Sequence, residues 1–189
     1  MRVLGINGIL SDGSTSTDLF IAKLKEAGHN VVDFNYGKVN VVSARWKQHK
    51  VGKQIFDKHI PSNDCVVAHS FGCLAVFRAM QQGAKFKKVF LFAPAMNHKV
   101  TFPYHAAEQI YVIYHPQDMA IWAGANLLLN HPFGRMGRKG YSGPEDSRVF
   151  SIEAPLDGND WLKHSTFFEP HTLDWWAAFV HDLLPEPAG

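Results

Sequence analysis

Residues 64–80 read DCVVAHSFGCLAVFRAM. Cys65 to Ala68 is a short run of small and β-branched apolar residues, the composition of a strand covered on both faces. From Phe71 onward the apolar residues Phe71, Leu74, Phe77 and Met80 recur at helical spacing. Only His69-Ser70-Phe71-Gly72 marks the junction, so a buried strand runs into a helix with no loop between them, and the corner carries a serine. A hydroxyl gains nothing structurally from so abrupt a turn. The question is whether Ser70 is a turn residue or a nucleophile.

Outward from this corner the same alternation continues. Continuous apolar runs of strand length fall at 3–6, 31–34, 65–68, 89–92, 110–114 and 149–152, and helical patterns at 17–27, 40–59, 71–82, 119–130 and 173–184. Strand and helix alternate throughout, which predicts an α/β fold: one doubly wound, mostly parallel sheet of about six strands. Gly28 and Gly83 end helices, and Pro185 and Pro187 follow the last one. No repeat or linker interrupts the pattern, so residues 1–189 are expected to form a single domain. The longest irregular piece is 131–147, rich in glycine, with RMGRKG at 135–140 expected as an exposed basic loop. The connection from Phe92 to Ile110 is too short for a cap domain.

Composition narrows the function class. The formal net charge of +2 is too small to argue for nucleic acid as a partner. Six basic residues between Lys38 and Lys58 are interleaved with Val41, Val42, Val51, Ile55 and Phe56, which reads as the solvated face of an amphipathic helix. Both cysteines, Cys65 and Cys73, fall in apolar company and are expected as buried free thiols. No stretch reaches the roughly 18 uninterrupted apolar residues of a membrane span. MRVLGINGIL reads as a first strand rather than a secretory leader, so the expected location is cytoplasmic.

A serine hydroxyl becomes a nucleophile when a base takes its proton, and the base works best when a third group fixes its tautomer. The amide of Phe71, at the start of a helix, is placed to meet a developing oxyanion. The strand, tight serine corner and helix in the third βα unit resemble the nucleophile elbow G-x-S-x-G of the α/β-hydrolase family, with Ala68 at the first glycine. That resemblance implies a minimal, lidless serine hydrolase similar to small bacterial lipases and esterases, lacking the family's first two strands.

The same resemblance implies the remaining parts. GINGILSDG at 5–13 follows the first strand, with Asn7-Gly8 where the family has His-Gly, so the backbone of Ile9 would be the second oxyanion donor. Asp118, four residues beyond Tyr114, would be the triad acid; its competing role is the N-cap of the helix that follows. The base would lie between the last strand and the terminal helix, which leaves His164 and His171, with His164 preferred because it comes first in that loop. His69 is expected to point away from Ser70. The remaining histidines lack metal-ligand spacing, and NGILSDG lacks a phosphate-loop pattern, so neither metal nor cofactor is expected.

The expected partner is a small acyl substrate, an ester or thioester, and Trp122, Phe133, Phe167 and Phe168 are candidates to line its pocket. A non-catalytic binding protein on the same scaffold is the alternative.

Overall fold

The computed structural model describes residues 2–8, 16–37, 39–59, 64–127, 133–155 and 163–186. Six parallel strands form one sheet: β1 (Arg2–Ile6), β2 (Asn30–Asp33), β3 (Cys65–His69), β4 (Phe86–Phe92), β5 (Ala107–Tyr114) and β6 (Val149–Glu153). Their order is β2-β1-β3-β4-β5-β6, so the chain reverses direction across the sheet between β1 and β3. In open sheets of this type ligands bind beyond the carboxyl ends of the strands at that reversal.

The helices are α1 (Ser16–Glu26), α2 (Val41–His59), α3 (Phe71–Gln81), α4 (Met119–Leu127), α5 (Met136–Lys139) and α6 (Pro170–Leu183). Strand side chains alternate between two cores. Leu4, Ile6, Val66, Ala68, Val89, Leu91, Ile110 and Val112 join the side covered by α2 and α3. Val3, Cys65, Val67, Phe90, Phe92, Tyr111 and Ile113 join the side covered by α1 and α6, with Phe20, Leu24 and Trp176. Burial on both faces is why the central strands carry uninterrupted apolar runs. The edge strand β6 departs from this, and its Phe150 is 42% exposed.

Local chemistry sets several boundaries. Asn40 caps α2: its Oδ1 accepts the Ser43 N–H at 2.8 Å, while the Asn40 N–H donates to Ser43 Oγ at 3.2 Å. Lys87 and Lys88 lie within β4, which is why its apolar pattern starts three residues late in the sequence.

The basic segment 135–140 is not a solvated loop. Met136 is fully buried, and a Cβ on Gly137 would lie 2.6 Å from the Ala93 carbonyl carbon. The Gly137 N–H donates to Pro94 O at 2.9 Å and its carbonyl accepts from His115 N at 3.0 Å. Close backbone packing against the ends of β4 and β5 accompanies the winding of Met136–Lys139 into α5. Arg138 Nε turns back to Pro116 O at 2.7 Å.

Candidate active site

Ser70 sits between β3 and α3 with φ 53° and ψ −120°, a backbone region that non-glycine residues rarely occupy. Hydrogen bonds hold it there. Its N–H donates to Phe92 O at 2.9 Å, and its carbonyl accepts from Cys73 N at 3.1 Å and Ala95 N at 3.2 Å. Gly72 is required by a close approach to β1, since a Cβ there would lie 2.6 Å from Asn7 O and 2.7 Å from Ile6 O. The corner is therefore wedged between β1 and β4.

His164 and Asp118 meet Ser70 from other strands' ends. His164 Nε2 lies 2.9 Å from Ser70 Oγ, and His164 Nδ1 lies 2.7 Å from Asp118 Oδ2. An ionised carboxylate only accepts, so Nδ1 carries the proton and Nε2 accepts from the serine hydroxyl. Asp118 is fully buried, and its second oxygen, Oδ1, accepts the Ile121 N–H at 2.8 Å at the start of α4. The helix-cap role and the histidine-holding role are thus filled by different oxygens of one carboxylate.

His69 supports this arrangement from behind. Its Nε2–H donates to the His164 backbone oxygen at 3.2 Å, and its ring lies 4.8 Å from that of His164 and 5.1 Å from Phe168. Burial pushes its pKa down to about 3, with the neighbouring His164 adding to the effect, so the ring stays neutral. The residue preceding His164, Lys163, has φ 55°, a second strained position beside the site.

On the β1 side, Asn7 is buried and its Nδ2 donates to Asp18 Oδ1 at 3.3 Å. Gly8 lies against Ser70: a Cβ there would be 3.1 Å from Ser70 Cβ. Ile9 lies outside the described residues. Phe71 is the first residue of α3, where backbone N–H groups have no intrahelical acceptor.

His171 is not part of this chain of hydrogen bonds. It sits in the first turn of α6 with Nδ1 3.5 Å from Glu169 Oε2, and lines a separate cavity of about 240 Å³ with Trp175 and Thr166. Phe167 and Phe168 are core residues, packed on Phe92 with centroids 5.5 Å away in both cases, rather than pocket lining. Trp122 is 39% exposed on α4, and Phe133 packs against Gly124. Among the described residues no group of three His, Cys, Asp or Glu is placed to hold a metal ion. The residue that sequence reasoning passed over is Tyr36, whose hydroxyl reaches the backbone of Asn7 and Gly8. Its one signal was position, just beyond the carboxyl end of β2.

The same architecture recurs in solved structures. Alpha/beta hydrolase domain-containing protein 10 from mouse superposes with a TM-score of 0.63 over 96% of this chain and 88% of its own, at 14% identity. The chain has the α/β-hydrolase fold. An esterase from Pyrococcus furiosus matches with a TM-score of 0.57 (14% identity, 97% of this chain, 81% of its own). The catalytic core of acetyl xylan esterase from Trichoderma reesei matches with a TM-score of 0.53 (15% identity, 97% and 98%). Residues 54–120 match the model of a family described as serine hydrolase, a span that includes Ser70 and Asp118. No curated protein matches the sequence. The family match over residues 54–120 supports a hydrolase.

Proposed function

We propose that this protein is a serine hydrolase of carboxylic esters or thioesters that works through an acyl-enzyme, with residues 1–189 acting as one domain. The observation that carries the reading is the unbroken relay Asp118 Oδ2, His164 Nδ1, His164 Nε2, Ser70 Oγ, with separations of 2.7 and 2.9 Å, ending on a strained strand-to-helix corner.

Ser70 Oγ attacks the substrate carbonyl carbon as its proton passes to His164 Nε2. Asp118 keeps Nδ1 protonated and stabilises the imidazolium that forms. The tetrahedral oxyanion is met by the amides of Phe71 and Ile9. Collapse expels the alcohol or thiol, which takes the proton from His164, and leaves an ester on Ser70. Water, deprotonated by His164, then attacks that ester and releases the acid and free Ser70. No cofactor enters either half. The short Ala93–Ala106 connection between β4 and β5 suits small, dissolved substrates. Among the described residues no helix is long and apolar enough to cross a membrane. Two buried free thiols fit a reducing compartment, which supports a cytoplasmic location.

A fluorophosphonate probe tests the reading directly. The expected result is covalent labelling of the wild-type protein at Ser70, release of nitrophenol from p-nitrophenyl butyrate, and neither in Ser70→Ala. Folded wild-type protein that takes no label would make it a binding protein on a hydrolase scaffold.

A further inference from the structure

The last β1–β2 ladder bond runs from Phe34 N to Gly5 O at 2.8 Å. Beyond it the carbonyls of Asn7 and Gly8 leave the sheet, and the hydroxyl of one side chain from the loop after β2 takes the place of the missing strand. Tyr36 Oη donates to Asn7 O at 2.7 Å and to Gly8 O at 2.5 Å. Its ring stands edge-on to Phe71, with centroids 5.8 Å apart. Tyr36 thus touches both sides of the cleft beside Ser70: the backbone leaving β1 and the first residue of α3.

We propose that Tyr36 is a positioning residue for oxyanion stabilisation, holding the Asn7–Gly8 backbone in one orientation against Ser70; this rests on the proposed hydrolase reading. The physical reason is the planarity of the peptide. In a trans peptide the carbonyl and the N–H that follows it point in opposite directions, so a clamp on a carbonyl restricts the direction of the next amide. An oxyanion donor works only if it is aimed before charge develops, because reorientation during the reaction forfeits its advantage. One hydroxyl proton shared between two successive carbonyls favours a single backbone orientation there. Burial pushes the ionisation of Tyr36 upward, so the group remains a donor throughout the working pH range. The absence of a side chain at Gly8 lets this clamped backbone lie in contact with Ser70.

Tyr36→Phe removes the hydroxyl and keeps the ring on Phe71. Three quantities are measured on wild type and variant: kcat and KM for p-nitrophenyl butyrate, the inhibition constant of phenylboronic acid, which forms a tetrahedral adduct on the serine, and the thermal midpoint. Active-site titration with a fluorophosphonate, run to completion, counts the competent fraction so that partial unfolding does not masquerade as slow chemistry. The expected result is a fall in kcat of about 10- to 100-fold, the scale of a misaimed group, with KM within about twofold, and a parallel loss of boronic acid affinity. An unchanged kcat per competent site overturns the inference, as does an effect confined to KM or to the thermal midpoint. A wild-type protein that neither hydrolyses nor labels would remove the hydrolase reading, and this inference with it, before any variant is compared.

Discussion

Asp118 Oδ1 accepts the backbone N–H of Ile121 at 2.8 Å, so the carboxylate that meets His164 is pinned by the helix it caps. Asparagine at this position could satisfy one neighbour but not both. With its oxygen on Ile121 it presents an amide to His164 and selects the wrong tautomer; flipped, it turns that amide against the helix N–H. Asp118→Asn is expected to lower kcat by about 1,000- to 10,000-fold with a small change in stability. Asp118→Ala, which loses the cap as well, should be less stable again by about 1 kcal/mol. Ester kinetics and urea unfolding of the two variants check this; equal kcat in wild type and Asp118→Asn would remove Asp118 from the mechanism.

Ser70 carries backbone strain for which the fold compensates. Ser70→Ala should abolish turnover while keeping the strained φ of 53°, and so leave the thermal midpoint near that of wild type. Ser70→Gly should also be inactive, yet it relieves the strain. A gain of about 1 kcal/mol, or roughly 2 to 4 °C, is expected. Calorimetry of the pair decides it: a glycine variant no more stable than the alanine one would mean that the corner is unstrained.

His164 and Ser70 should behave as one unit. His164→Ala is expected to lose nearly as much rate as Ser70→Ala, and the double variant little more, because removing either member disables the relay. His171→Ala should keep most of the activity, since its nearest ionic partner is Glu169. Single-variant and double-variant rates on one aryl ester suffice. A dead His171→Ala beside an active His164→Ala would reassign the base.

His69 links the site to acid stability. Its ordinary pKa of 6.5 falls to about 3 in the fold. Between those values the unfolded chain binds a proton that the folded one does not, so stability falls as pH drops through that window and the contribution is level above it. From pH 7.5 to pH 4.5 the loss attributable to this group is at most about 3 kcal/mol. His69→Gln keeps an N–H for the His164 carbonyl and does not titrate, so its urea midpoint should fall less over the same interval. Parallel curves for the two proteins would show that His69 is not held neutral.

A short β4–β5 connection predicts that p-nitrophenyl butyrate hydrolysis rises smoothly through the solubility limit of the substrate. A jump in rate when droplets form would point to a surface-activated site instead.

What the sequence determined by itself is whatever local pattern encodes. Two-sided burial writes continuous apolar runs into the central strands, and a strand that meets a helix without a loop can be read from five residues, so the parallel sheet and the Ser70 corner were legible. Asp118 was legible as an alternative, cap or triad acid, and only the fold could show one carboxylate reaching both neighbours. The choice between His164 and His171 was likewise undecidable from periodicity. It depends on which loop crosses the carboxyl end of the sheet, and there Lys163, at φ 55°, precedes the histidine that meets Ser70. Phe167 and Phe168 could be read equally as pocket or core residues, because aromatics near loops do not declare which side of the chain is filled. Tyr36 and α5 carried no periodic signal at all. Their places are set by contacts between backbones far apart in sequence, Tyr36 with Gly8 and Gly137 with Pro94, and such contacts come into existence only when the strand order brings those segments together.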